Sequence, residues 1–254
     1  MTIDFSSLRA QVSEAEWSTR VDLAAAYRLV ALFGWDDLAF THISARVPDA
    51  DDQFLINPYG VFFDEITASS LVKVNHHGGQ IIGPVSQINT AGFLIHSAVH
   101  EARPSVNCVV HTHTVHGVAV SAQENGLLPI SQQAGFVLSS LAYHAYEGVA
   151  LRPSEKITLA ADLGNANSMI LRNHGLLTCG RTVAEAFKAM YTLETACRIQ
   201  VMAQAGGPLL HISESVLETM ADRSREIARG FSSAELVWPG LLRRLNRQNP
   251  GYDV

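Results

Sequence analysis

The sequence predicts an α/β fold, a mixed sheet flanked by helices within one principal domain. Three observations lead there. Short apolar runs of strand length recur along the chain, from "HISARV" to "GLLTCG", each bounded by turn residues. Between them stand longer stretches with apolar residues at helical spacing. The chain has 254 residues, 47% of them hydrophobic and only 17% charged, which is enough apolar surface for one large core.

In chain order, residues 1–17 read as an N-terminal arm. "STRVDLAAAYRLVALFG" reads as a helix with Ser18 or Thr19 as its cap and Gly34 as its stop. "AFTHISARV" and "QFLINPYG" are strands separated by the turn-rich "PDADD". "TASSLVKVN" leads into another strand. "NTAGFLIHSAVHEARP" is a helix capped by Asn89 or Thr90 and ended before Pro104. "SVNCVVHTH" is a short buried strand, and "NSMILRNHGLLTCG" is two strands around a turn at Asn173–Gly175. The clearest helix starts at the capping-box pattern of Thr182 and Glu185. Its apolar positions Phe187, Met190, Leu193, Cys197 and Val201 lie on one face, and Gly206, Gly207 and Pro208 stop it. The principal domain spans 18–210, and 211–254 form a C-terminal helix and tail.

Composition excludes several function classes. A net charge of −6 without a basic run gives no general attraction for nucleic acid or anionic membranes. No apolar run reaches the roughly 18 residues that span a bilayer. The three cysteines are odd in number and far apart, which predicts free thiols and a reducing compartment. With no signal-like start, the expected location is the cytoplasm.

The chemistry concentrates in "CVVHTHTVHG", where three of 11 histidines fall within six residues. Residues i and i+2 of a strand share a face, so His111 and His113 project together and Thr112 projects away. Two imidazoles so placed can grip one metal ion. His174, in the turn "LRNHGLL" where Gly175 permits a bend, is the candidate third ligand. Three neutral imidazoles suit zinc, and also iron, manganese, nickel or cobalt. Spacing alone leaves a second reading open, in which these are polar residues at a strand end. His96 and His100, four apart on one helix, lack a neighbouring glutamate and read as packing or hydrogen-bonded histidines. Asp36 and Asp37 read as turn or cap residues.

The segments "THISARV", "LINPYG", "EITASSLVKV", "AGFLIHSAVHEARPSVNCVVHTH", "GLLPISQQA", "YEG" and "ILRNHGLLTCGRTVAEAF" together resemble the class II aldolase/adducin family over about residues 18–210. "GLLPISQQA" and "LRNHGLLTCG" are more similar to the adducin-head branch than to the sugar-phosphate aldolases. The resemblance implies a three-layer α/β/α domain with a central, largely antiparallel sheet. It also implies a homotetramer with its site at subunit interfaces, and metal ligands at His111, His113 and His174.

The departures are informative. The aldolase acid that handles the proton falls on Gly92, so Gly92→Glu is expected either to restore a carboxylate near the metal or to supply a fourth ligand that blocks the open position. The phosphate-gripping serines fall on Thr90 and Ala91, the Gly-Asn of the phosphate loop on Thr41 and His42, and the borrowed tyrosine near Gln133. His42 then becomes the candidate acid/base, since an imidazole titrates near neutral pH. Thr41, Asn57, Tyr59, Gly60, Asn89 and Thr90 are expected to line the substrate side. The expected function is a metal-dependent lyase. It would cleave C–C bonds through a metal-stabilised enolate in a small oxo- or hydroxy-acid or related carbonyl compound. The alternatives are an adducin-like assembly protein without catalysis, and an epimerase or iron-dependent oxygenase on the same scaffold.

Overall fold

A computed structural model describes residues 8–83, 87–150, 152–229 and 233–254, with side chains of 223–229 outside the description. Residues 1–7 of the expected arm lie outside the described residues. An eight-stranded sheet forms the middle layer, in the order β4-β3-β2-β1-β5-β8-β7-β6. Its strands are β1 (His42–Arg46), β2 (Gln53–Ile56), β3 (Val72–Asn75), β4 (Gln80–Ile82), β5 (Cys108–Thr112), β6 (Leu141–His144), β7 (Ser168–Leu171) and β8 (Gly175–Gly180). All pairs are antiparallel except β6 with β7. The expected α/β/α architecture is therefore what the chain adopts.

Helices cover both faces. One face carries α1 (Glu14–Leu32) and α6 (Val183–Gln204), whose Leu23, Tyr27, Phe187 and Met190 pack with Ile43, Val110 and Leu176 of the sheet. The other carries α2 (Thr90–Ala102) and α5 (Pro153–Leu163), whose Ile95, Val99 and Leu159 pack with Val109, Met169 and Leu177. Alternation along each strand sends Ile43 and Ala45 to the first face, and His42 and Ser44 to the second, under α2. No helix among the described residues is long and apolar enough to cross a membrane.

Two boundaries differ from expectation. Helix α1 begins at Glu14 rather than after Ser18, because the Ser13 hydroxyl accepts from Glu16 N at 3.1 Å. The C-terminal region holds two helices, α7 (Glu214–Arg229) and α8 (Ser233–Gln248). Pro239 lies inside α8, and the Pro-Gly pair it forms with Gly240 reads as a breaker in sequence. Trp238, Leu245 and Tyr252 are buried in the same core as α1. Arg28 clamps the closing segment, donating to Asn249 Oδ1 and Pro250 O at 2.6 Å each.

Between β5 and β6 lie α3 (Val115–Ser121) and α4 (Gln132–Leu138). Helix α3 follows the histidine segment directly, and its cap residue Thr114 accepts from Gly117 N.

Candidate metal centre

Strand order assembles the histidines. β5 lies between β1 and β8, with His111 paired to His42 on one side and to Leu177 on the other. His111 ends the buried face of β5, and His113 follows one residue past the strand. The β7–β8 turn brings in His174. Its positive φ is at Asn173 (54°), not at Gly175 as the sequence suggests. Gly175 has another role: a Cβ there would lie 2.5 Å from Thr112 O and 3.1 Å from the His113 ring. Its missing side chain lets the turn close against β5. One ligand atom from each of His111, His113 and His174 falls within 4.8 Å of the others. The remaining histidine of the segment, His116, turns away and donates to Glu194 at 2.7 Å.

The hydrogen-bond partners fix the tautomers. His111 Nδ1 lies 2.9 Å from Leu176 O, which only accepts, so this nitrogen carries the proton. His113 Nδ1 lies 2.9 Å from the Asp37 carboxylate and is likewise a donor. In the neutral rings both Nε2 atoms then bear lone pairs, and they lie 3.0 Å apart. Two facing lone pairs repel unless a cation or proton sits between them. Burial opposes the proton: His111 is held well below the ordinary histidine range by desolvation first, then by His174, His42 and His113. His174 is pushed down to about 4, again by burial first and then by His113. Neutral, converging imidazole nitrogens with carboxylate and carbonyl partners behind them form a donor set that fits a divalent metal ion. Asp37, read from sequence as a turn residue, is the orienting partner of His113.

A second histidine cluster lies against the first. His42 stacks on His111, with ring centroids 5.1 Å apart. Its Nδ1 is 2.9 Å from His96 Nε2; His96 Nδ1 is 2.5 Å from Ser44 Oγ, which is 2.8 Å from His100 Nε2. These rings are buried. His42 and His96 are lowered well below the usual value and His100 to about 3, with desolvation the largest cause in each.

Gly92 explains how His42 fits. A Cβ at position 92 would lie 2.2 Å from His42 Cδ2 and 2.3 Å from Nε2. A carboxylate on residue 92 and an imidazole on residue 42 therefore exclude one another. The expectation that Gly92→Glu restores a carboxylate is overturned, because that side chain must first displace His42. Gly92→Ala should reverse sign with its background. In the native chain, overpacking of roughly 1–3 kcal/mol exceeds the gain in helix propensity, so the variant is less stable. Combined with His42→Ala, the same change should stabilise by up to about 1 kcal/mol. Urea unfolding of the four proteins measures this; additive effects would refute the steric coupling.

The substrate-side residues of the sequence reading fall into two groups. Thr41 is fully buried with its hydroxyl unpartnered. Asn57 is buried and accepts from the Tyr27 hydroxyl at 2.8 Å. Asn89 caps α2, accepting from Ala91 N and Gly92 N. Tyr59, Gly60 and Thr90 are exposed. Tyr146, which the sequence reading did not assign to the site, is 54% exposed and its ring lies 6.4 Å from that of His174. No spacing pattern signals Tyr146, since only the β6–β7 pairing brings it there.

Known proteins share this sequence pattern and fold. The chain is 59% identical over 250 residues to a Pseudomonas aeruginosa protein that carries a class 2 aldolase name, covering 97% of this chain and 96% of the relative. It superposes on an aldolase II superfamily protein from Pseudomonas syringae with a TM-score of 0.94 at 48% identity, covering 98% of this chain and 100% of the other. An L-fuculose 1-phosphate aldolase from Glaciozyma antarctica matches with a TM-score of 0.81 at 30% identity, covering 93% and 92%. Residues 21–201 match the family model described as the class II aldolase and adducin N-terminal domain, and the chain belongs to that family.

Proposed function

We propose that the protein is a metal-dependent lyase acting on a small oxo- or hydroxy-acid or related carbonyl compound. The observation that carries this reading is the pair of imidazole lone pairs facing at 3.0 Å, with His174 as the third donor. His111, His113 and His174 would hold a divalent ion, zinc first and iron, manganese, nickel or cobalt next, which would supply Lewis acidity toward a carbonyl undergoing C–C cleavage through an enolate.

The chain's own residues handle the proton. His42 is the acid/base; its Nδ1 is hydrogen-bonded to His96, and its Nε2 makes no hydrogen bond among the described residues. The chain behind it has two self-consistent polarities. In one, His42 Nδ1–H donates to His96 Nε2, His96 Nδ1–H donates to Ser44, and Ser44 donates to His100 Nε2. His42 Nε2 is then a base. In the other every bond is reversed, and His42 Nε2–H is an acid. All three rings are neutral in both, which suits their burial.

A small unphosphorylated substrate is favoured because the Asn57 and Asn89 side chains are occupied by Tyr27 and the α2 cap, and Thr41 is sealed. A phosphate site needs several free donors. The exposed apolar side chains of Leu38 and Phe40, which follow Asp37 in the segment that reaches His113, suit contact with a second copy in a homotetramer. Three buried free cysteines fit the cytoplasm.

The test is turnover by the metal-loaded protein of a panel of oxo- and hydroxy-acids beside fuculose 1-phosphate. We expect metal-dependent cleavage within the acid panel and none of ordinary efficiency on the sugar phosphate. Efficient sugar-phosphate cleavage that survives His42→Ala would overturn both the substrate class and the role of His42.

A further inference from the structure

His174 differs from the other two rings of the trio in what stands behind it. His111 gives its outer proton to Leu176 O, and His113 gives its own to Asp37. The His174 ring makes no hydrogen bond among the described residues. Ligand imidazoles almost always donate their second N–H to a carboxylate, a carbonyl or a water.

Next to His174 is a cavity of ≈ 10 Å³, lined by His144, Tyr146, Glu155, Leu159 and Leu171 as well as His174 itself. Two polar atoms at this wall lack partners: His144 Nε2 and Glu155 Oε2. Both residues are more than nine-tenths buried, at 4% and 5% exposure. The parallel pairing of β6 with β7 sets His144 beside Leu171, three residues before His174. His144 Nδ1 donates to Asp162 at 2.7 Å, so in the neutral ring Nε2 carries the lone pair. Glu155 sits in the first turn of α5.

The cavity thus presents two acceptors and one ring with a proton to give. Its size is that of a single water. A water has two protons for the two acceptors and lone pairs for an N–H. We propose that one water in this cavity, held by His144 and Glu155, is the outer partner of His174, and that His144, Glu155 and Asp162 are positioning residues for the metal centre. The inference rests on the reading of the trio as a metal site.

Zinc affinity by chelator competition, with the absorption spectrum of the cobalt(II)-loaded protein, tests it. Glu155→Leu and His144→Phe are expected to weaken zinc binding about 10–100-fold and to shift the cobalt bands. The urea midpoints of their metal-free forms measure folding separately, so that lost zinc affinity in a folded variant is assigned to the site. Glu155→Gln keeps an acceptor and should retain native affinity. Should either bulky variant fail to fold, Asp162→Ala alters a half-exposed residue outside the cavity and should weaken zinc in the same direction. Native zinc affinity in all folded variants, with binding still lost in His111→Ala, overturns this proposal alone. If the unmodified protein takes up no zinc or cobalt, the metal reading falls and this one with it.

Discussion

His111→Ala and His113→Ala, each alone, are expected to abolish stoichiometric metal at micromolar protein. Their Nε2 atoms stand 3.0 Å apart and each is backed by a fixed acceptor, so each contributes an oriented lone pair. Removing one leaves two imidazoles, and the loss should exceed the roughly 10–100-fold that outer partners contribute. His113→Ala also strips Asp37 of its partner and leaves that half-exposed carboxylate to solvent. The metal-free variants should be at least as stable as the metal-free native chain, because a lone-pair repulsion is relieved. Elemental analysis after dialysis decides the matter: one equivalent of metal retained in the double variant would remove the basis of the proposed function.

The metal-free protein should unfold in mild acid. His42, His96, His100 and His111 are all fully buried and held neutral, with values far below the usual one for histidine. The sign follows from proton counts. Below about pH 6.5 the unfolded chain binds a proton at each of these rings while the folded chain does not, so stability falls as pH falls. The loss continues until the folded values are reached, at about 3 for His100. Four such groups cost on the order of 5 kcal/mol between pH 7 and 5.5, against a typical total stability of about 5–15 kcal/mol. His174, pushed down to about 4, adds in the same direction. Urea midpoints of chelator-treated protein from pH 7.5 to 4.5 would show a steep decline, with unfolding in buffer between about pH 5 and 6. A flat profile would mean that the rings accept protons without leaving the fold.

Much of this was legible in the chain, but unevenly. Period-two spacing puts His111 on the face of β5 that meets α2, and Thr112 on the opposite face, where it meets Met190. The strand around "HISAR", the cap at Asn89 and the helix after Thr182 are local features, and the structure forms them where local chemistry indicates. The Ser13–Glu16 pattern was also readable as a helix start. Partnerships across the sheet were not. Asp37 reaches His113 across 76 residues, and Ser44 bridges His96 and His100 because β1 lies beneath α2. Such pairings depend on strand order, which periodicity does not encode. The role of Gly92 was hidden for the same reason: a helical glycine reads as a local weakness until the ring filling its space is known.

The contact between positions 42 and 92 also constrains how such a site can change by descent. A lineage exchanging the imidazole for a carboxylate cannot take the two substitutions in arbitrary order. Acquiring the acid first drives it into a ring 2.2 Å from the new Cβ, whereas losing the ring first would, on the role proposed for His42, leave the centre without either proton-handling group. Each single-step intermediate is worse than both endpoints, so the pair forms a two-site epistatic barrier. Ancestral reconstructions or libraries randomised at these two codons together should recover the combinations His42–Gly92 and small residue–acid, and be depleted of the mixed ones.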